Sequence, residues 1–168
     1  IQNGSGNPFQ VFTPFWKKTK ARVHSKIVSI SWNDLNFSKE TKSQLALDQT
    51  AIIPSHNWHD KLAAHWDVSE SGAQKLIQRI PEEVAPEYER RRNHPEIDGT
   101  SRLSPYLTWG MASPRQVWAA VDELDQSKGN ESKRDSQFLA EIGWREFSHH
   151  LLYHFPHLTD QPLRKKYE

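Results

Sequence analysis

The sequence of 168 residues contains no cysteine, which excludes a disulfide framework, a thiolate metal site and a cysteine nucleophile. Its formal net charge is only +1, so overall charge favours no class of binding partner. No apolar stretch approaches the roughly 18 residues of a membrane span, and the first residues do not follow the pattern of a secretion signal. We therefore expect a cytoplasmic protein that does not bind a membrane.

Aromatic residues, in contrast, are plentiful. The chain has seven Trp, and their rings supply stacking surfaces as well as core volume. Basic residues cluster at 17–22, at Arg90–Arg92 and at 164–166. Solvated surface is the simpler interpretation of the first and third clusters, because charge runs are usually exposed.

Periodicity predicts a mainly helical chain. Ala73, Leu76, Ile77 and Ile80 are spaced as one apolar helix face that Ser69 opens, and Pro81 is expected to end this helix. Further helix starts are predicted at four positions, namely Thr13-Pro14, Ser104-Pro105, Ser113-Pro114 and Asp135 or Ser136. The last of these is expected to open the longest helix, which ends near His154 before Pro156.

Two other segments carry weaker signals. Residues 10–12 form a short apolar run before the first helix, which is expected to end near Arg22. Residues 23–57 keep no helical or strand period and are rich in Ser, Asn, Asp, Lys and Thr. This composition predicts an interdomain linker with local turns. Residues 128–130 predict a loop.

Residues 99–105 read Gly-Thr-Ser-Arg-Leu-Ser-Pro. The hydroxyls of Thr100, Ser101 and Ser104 lie just before a predicted helix, whose free N–H groups can hold a pyrophosphate. Arg102 could add a charge-assisted contact. Alternatively, Ser104 only caps the helix and Thr100-Ser101 form a turn. Spacing alone favours this second interpretation.

The long predicted helix carries an unusual set on one face. Glu141, Trp144, Arg145 and Ser148 are spaced i, i+3, i+4 and i+7, so they project from the same side. In one interpretation, Glu141 and Arg145 form a surface ion pair worth about 0.3–0.5 kcal/mol, and Trp144 lies at the core edge. In the other, a flipped base stacks on the indole and hydrogen-bonds to the carboxylate.

Four histidines near the end of this helix raise the question of a metal site. His150 and His154 are spaced i, i+4, with His149 and His157 nearby. No acidic partner of the His-Glu-x-x-His type accompanies them. We predict no metal site, because a helix end that favours cationic side chains explains the cluster equally well.

These segments together resemble the flavin-binding and lesion-binding segments of class I DNA photolyases and cryptochromes. Tyr88 precedes Thr100 by twelve residues, as the flavin-contacting Tyr of that family precedes its Thr-Ser-Arg-Leu-Ser run. Ser113-Pro114-Arg115-Gln116 and Glu141-x-x-Trp144-Arg145-Glu146-Phe147 then follow in the family's order.

The resemblance implies a set of site residues. Those implied to bind FAD are Tyr88, Thr100, Ser101, Arg102, Leu103, Ser104 and Phe138. Phe138 stands where several photolyases have a Trp, so it is expected to pack against the flavin without an indole hydrogen bond. Glu141 and Trp144 are implied to be the catalytic, dimer-contacting pair, and these two residues with Arg145 and Ser148 to contact DNA.

The implied activity is light-dependent repair of cyclobutane pyrimidine dimers in damaged DNA, by electron transfer from reduced FAD, which makes the enzyme a carbon–carbon lyase. Such a flavoprotein acts as a monomer and can carry a second antenna chromophore, folate or deazaflavin. Two rivals stay open: a cryptochrome that binds FAD and signals without repair, and a flavin-free helical nucleic-acid-binding module.

The resemblance also implies that the chain is an internal fragment. Residues 1–22 would end an N-terminal α/β antenna domain, residues 23–57 would be the linker, and residues 58–168 would supply the first helices of the helical FAD-binding domain. The fragment alone is expected to be inactive.

Overall fold

Helices dominate the computed structural model, which describes residues 1–23, 27, 31–36, 47–50, 52, 56, 58–128 and 136–167. The α-helices in these ranges are α1 (Phe12–Lys20), α2 (Trp58–Ala63), α3 (Glu70–Arg79), α4 (Tyr88–Arg91), α5 (Ser104–Thr108), α6 (Pro114–Lys128) and α7 (Gln137–His154). Short 3-10 turns occupy Trp32–Asp34, Leu47–Thr50, Ala85–Glu87, Pro156–Thr159 and Lys165–Tyr167. The prediction of a mainly helical chain is confirmed.

Two predictions concern residues that lie largely outside the described ranges: most of the 23–57 linker and the loop at 128–130. Within the described ranges, β-sheet pairing is limited to one isolated bridge between Gln2 and Pro8. In the apolar run at 10–12, Phe12 already belongs to α1. No helix in the described part of the chain is both long and apolar enough to cross a membrane.

Three of the predicted helix starts carry the expected serine caps. The backbone N–H of Gly72 donates to Ser69 Oγ at 3.0 Å, and that of Leu139 donates to Ser136 Oγ at 3.3 Å. At the start of α6, Gln116 N–H donates to Ser113 Oγ (3.2 Å) and Ser113 N–H donates to the Gln116 side chain (2.7 Å). This reciprocal pair is a capping box.

The first helix starts earlier than the sequence predicts. Its N-cap is Val11, which makes no side-chain cap, so Thr13 lies inside α1 and does not cap it. Pro14 costs no hydrogen bond there, because the first four N–H groups of a helix have no partner within the helix. The early start carries the ring of Phe12 onto α7, where it packs against Trp144 and Phe147.

Proline also shapes the end of α3. The α-helix ends at Arg79, and Ile80–Val84 continue as a π-helical turn that contains Pro81. Proline has no N–H to donate to the preceding turn, so the regular α-helical bonding cannot pass through it. Pro81 thus ends the α-helix as predicted, while Ile80 and Val84 stay in the core.

The main core lies where α3, the π-helical turn, α5, α6 and α7 meet. Its members with almost no exposed surface are Ala73, Ile80, Leu103, Val117, Trp118, Val121 and Leu139. A second, aromatic cluster of Phe9, Phe15 and Phe147 joins the N-terminal segment to α7. Between the two clusters, Trp16 of α1 lies directly against the backbone of Gly143.

Candidate functional site

Glu141, one of the predicted site residues, lies at the contact between α4 and α7. Glu141, on α7, accepts hydrogen bonds from Arg92, which directly follows α4, and from Gln137 Nε2 at 2.7 Å. Its side chain is 32 % exposed, so the carboxylate is held in place yet open to solvent on one side. The ion pair that local spacing offered, between Glu141 and Arg145, does not form, because Arg92 takes its place.

Tyr88 and Phe138 lie beside this ion pair. Their rings meet edge to face with centroids 5.2 Å apart, and the Arg92 guanidinium lies 5.4 Å from the centroid of the Tyr88 ring. Burial raises the pKa of the Tyr88 phenol; Arg92 opposes this shift and Glu141 adds to it. The phenol is therefore neutral and can donate a hydrogen bond. Phe138 is only 3 % exposed and packs in the main core.

The segment from Gly99 to Ser104 leaves α4 and enters α5. Gly99 is buried against Arg91, and a Cβ at Gly99 would lie 2.4 Å from Arg91 Cβ. The missing side chain thus lets this segment pass close to α4. Thr100 and Ser104 are exposed, and Ser101 is half-buried.

The structure rejects the predicted capping role of Ser104 but keeps part of the predicted turn. The N-cap of α5 is Leu103, and Ser104 is the first helical residue and makes no cap. The turn interpretation holds in part, because the Leu103 N–H donates to Ser101 Oγ at 3.4 Å. Leu103 itself is 1 % exposed and belongs to the main core, which leaves it little surface for a ligand. With five residues, α5 adds little dipole, so an anion here would have to be bound by hydroxyl and N–H groups.

Arg102 adopts a backbone conformation unusual for a residue with a side chain. Its φ is 54°, in the left-handed region that non-glycine residues seldom occupy. Its Nε lies 3.1 Å from Asp98 Oδ1. A phosphate contact by Arg102 would therefore replace or share an existing ion pair.

Trp144 is exposed on α7, one turn after Glu141. Its indole keeps 45 % of its surface open, and one face stacks on Phe12 with centroids 3.8 Å apart and planes 12° apart. Phe147 contacts it edge-on at 5.9 Å. One face of the indole is thus covered from within the protein, which leaves the other face for a ligand.

The remaining two residues of the predicted face already have hydrogen-bond partners within the protein. Arg145 pairs with Glu146 at 2.6 Å and donates to the Leu107 carbonyl at 3.3 Å, which ties α7 to the end of α5. Ser148 is exposed, and its hydroxyl donates to the Trp144 carbonyl at 3.0 Å. Both lie on the Trp144 side of α7.

The histidine cluster has no metal-binding geometry in the part of the chain that the structure describes, where no three His, Cys, Asp or Glu side chains converge. His150 packs among Phe9, Phe15, Phe147 and His154. Burial, and then the neighbouring His154, lowers the pKa of His150.

Sequence reasoning missed three residues that shape this site. Arg92 lies four residues after Tyr88, on the same helical face, which was the available signal. Gln137 stands in the same relation to Glu141. Phe12 gave no signal, because its contact with Trp144 joins opposite ends of the chain.

Comparisons with known proteins agree on one family, although no protein-family profile matches the sequence. A deoxyribodipyrimidine photo-lyase from Synechococcus is 32 % identical over the whole chain, and one from Agrobacterium fabrum is 32 % identical over 96 % of it. The crystal structure of a bacterial class III photolyase from Agrobacterium tumefaciens superposes on 99 % of the chain with a TM-score of 0.82 and 31 % identity.

The chain spans about a third of these proteins: 36 % and 33 % of the two relatives and 34 % of the solved structure. In fold, it corresponds to a helical segment of a photolyase. In sequence and fold, the chain is similar to a segment of DNA photolyases. The solved relative is of class III, so the resemblance to class I members stays a prediction.

Proposed function

We propose that the protein carrying this chain repairs cyclobutane pyrimidine dimers in DNA by a light-driven reaction that depends on reduced FAD. The observation that carries the proposal is the pairing of Glu141 and Trp144 on adjacent turns of α7, each held by a residue from another helix or its end. Arg92 fixes the carboxylate, and Phe12 covers one face of the indole.

The geometry of this pair suits a flipped pyrimidine dimer. The open face of Trp144 offers a flat apolar surface on which a base can stack. Glu141 Oε1 is bonded to Arg92 and Gln137, and the carboxylate has further lone pairs that can accept from a base N–H. Because Arg92 and Gln137 hold the carboxylate in place, this hydrogen bond needs little reorganisation on binding.

The residues present also fit FAD. Thr100, Ser101 and Ser104 would hold the phosphates and ribityl chain through their hydroxyls and backbone N–H groups. Tyr88 would contribute its neutral phenol, and Phe138 would support the Tyr88 ring from behind. When bound and reduced, FAD supplies the electron that splits the dimer and recovers it afterwards.

Replacing Trp144 by alanine tests the proposal. We expect the affinity for dimer-containing DNA to fall by roughly 1–3 kcal/mol, about 5- to 150-fold in Kd, while the affinity for undamaged DNA changes little. The protein expressed from its complete gene would be titrated with a duplex that carries one thymine dimer and with the same duplex undamaged.

The matched control is Trp109→Ala, since Trp109 is also a surface indole and is 78 % exposed. This variant should leave both affinities unchanged. Equal losses on the two duplexes after Trp144→Ala would contradict the proposal and assign Trp144 to packing.

A further inference from the structure

The N-terminal helix contributes a ring to the recognition surface. Phe12 stacks on Trp144 with centroids 3.8 Å and planes 12° apart, and its own ring continues toward Trp16 at 6.0 Å. We propose that Phe12 is a positioning residue for lesion recognition: it holds the Trp144 indole in the orientation that stacks on a damaged base. This inference rests on the proposed function.

Trp144 needs such a support because of where it lies. An exposed side chain on a helix is free to change rotamer, and a ligand that stacks on it must then bear the cost of ordering it. A ring stacked on its inner face and a second ring against its edge, from Phe147 at 5.9 Å, restrict that motion before the ligand arrives. The outer face stays open, because the side chain is still 45 % exposed.

The support is itself held firmly. Phe15, one turn after Phe12, is 3 % exposed and packs against Phe147 with ring centroids 5.1 Å apart. Trp16 lies against the Gly143 backbone so closely that a Cβ at Gly143 would come within 2.5 Å of the indole. α1 is therefore fixed to α7 by the two residues one turn after Phe12, and this anchored turn holds Phe12 against Trp144.

The expected size of the effect follows from the contact. An aromatic pair adds a factor of about 2 to 12 to an equilibrium constant beyond its buried area. Phe12→Ala should therefore lower the preference for dimer-containing over undamaged DNA by about 2- to 12-fold, and Phe12→Tyr, which keeps the ring, should preserve the preference. In a Trp144→Ala background, Phe12→Ala should cause no further loss, because Phe12 acts through Trp144.

Phe9→Ala is the matched control. Phe9 belongs to the same aromatic cluster and meets Phe15 edge to face at 6.1 Å, so its removal weakens the cluster without touching the Trp144 stack. The preference for damaged DNA should stay unchanged in this variant.

A second measurement detects the stack without DNA. The protein from the complete gene would be labelled with 5-fluorotryptophan, and the ¹⁹F resonance of residue 144 would be identified by its loss in Trp144→Phe. Phe12→Ala should shift this resonance, because the ring current of the stacked phenyl is removed, whereas Phe9→Ala should leave it in place.

The outcomes separate the two proposals. If Trp144→Ala lowers the preference for damaged DNA but Phe12→Ala does not, or if the two losses add, the positioning role of Phe12 is wrong and the proposed function stands. If Trp144→Ala leaves the preference unchanged, both are wrong. An unmoved resonance in Phe12→Ala would also overturn the inference, because the stack would be absent.

Discussion

Replacing Gly143 by alanine adds one methyl group at the point where α1 meets α7. An ideal Cβ there would lie 2.5 Å from Cε3 and 2.6 Å from Cζ3 of Trp16. Carbon atoms attract one another best at about 3.5–4.0 Å, so the indole must move by roughly an ångström. Trp16 has little freedom to do so, because its ring also packs against Phe12 and Trp118 with centroids 6.0 Å and 5.8 Å away.

Two opposing effects set the magnitude. Alanine is about 0.8–1.0 kcal/mol better than glycine inside a helix, whereas overfilling a packed contact costs about 1–3 kcal/mol. The free energy of unfolding should therefore fall by between about 0 and 2 kcal/mol. In a Trp16→Ala background the clash is gone, so the same Gly143→Ala change should raise the free energy of unfolding by about 0.8–1.0 kcal/mol.

The assay is urea unfolding followed by far-UV circular dichroism, for both backgrounds with and without the added methyl group. Gly4→Ala is the control, since a Cβ at Gly4 would meet nothing within 4 Å, and its effect should stay within about 0.5 kcal/mol. An equal stabilisation by Gly143→Ala in both backgrounds would refute the close packing of Trp16 on α7.

Two further perturbations probe the cofactor residues and the aromatic cluster. Thr100→Val should lower the FAD content of the protein purified from its complete gene, measured by its flavin absorption. Thr108→Val is the control and should not lower it, because the Thr108 hydroxyl donates within its own helix, to the Ser104 carbonyl at 2.8 Å. Equal FAD contents in the two variants would remove Thr100 from the site. Burial lowers the pKa of folded His150 below 6.5, so the unfolded state binds more protons, and stability should fall as pH drops through about 6.5. His150→Gln should reduce this loss of stability, measured as urea unfolding midpoints from about pH 8 to pH 5. The control His149→Gln, at the exposed neighbouring position, should leave the pH dependence as it is. An unchanged pH dependence in His150→Gln would show that His150 does not cause the loss.

Local chemistry explains why much of the fold could be predicted. Ser69, Ser113 and Ser136 cap helices through their own next turn, so the signal and the structure lie within four residues of each other. Thr13 carried the same signal and did not cap, because the rings of Phe12 and Phe15 pack on α7 and the helix extends to include them. Tertiary packing sets this N-terminal boundary of α1, so the local sequence could not predict it.

The candidate site, too, could be predicted from the sequence only in part. The one-face arrangement of Glu141 and Trp144 follows from helical spacing alone, and the structure has it. The partner of Glu141 does not follow, since local spacing offered Arg145 and the fold supplied Arg92. The stack of Phe12 on Trp144 likewise exists only once α1 docks on α7.

Blue-light repair of an oligonucleotide that carries one thymine dimer distinguishes the proposed function from its rivals, using the protein expressed from its complete gene and its Glu141→Ala variant. We expect light-dependent loss of the dimer with the unaltered protein. We also expect a lower repair yield per absorbed photon in the variant at equal flavin content, because in the proposed site Glu141 would contact the reacting groups and not the phosphate anchor. A flavin-loaded protein that repairs no dimer would overturn the proposed function and favour a cryptochrome, and an unchanged yield in Glu141→Ala would remove Glu141 from the site.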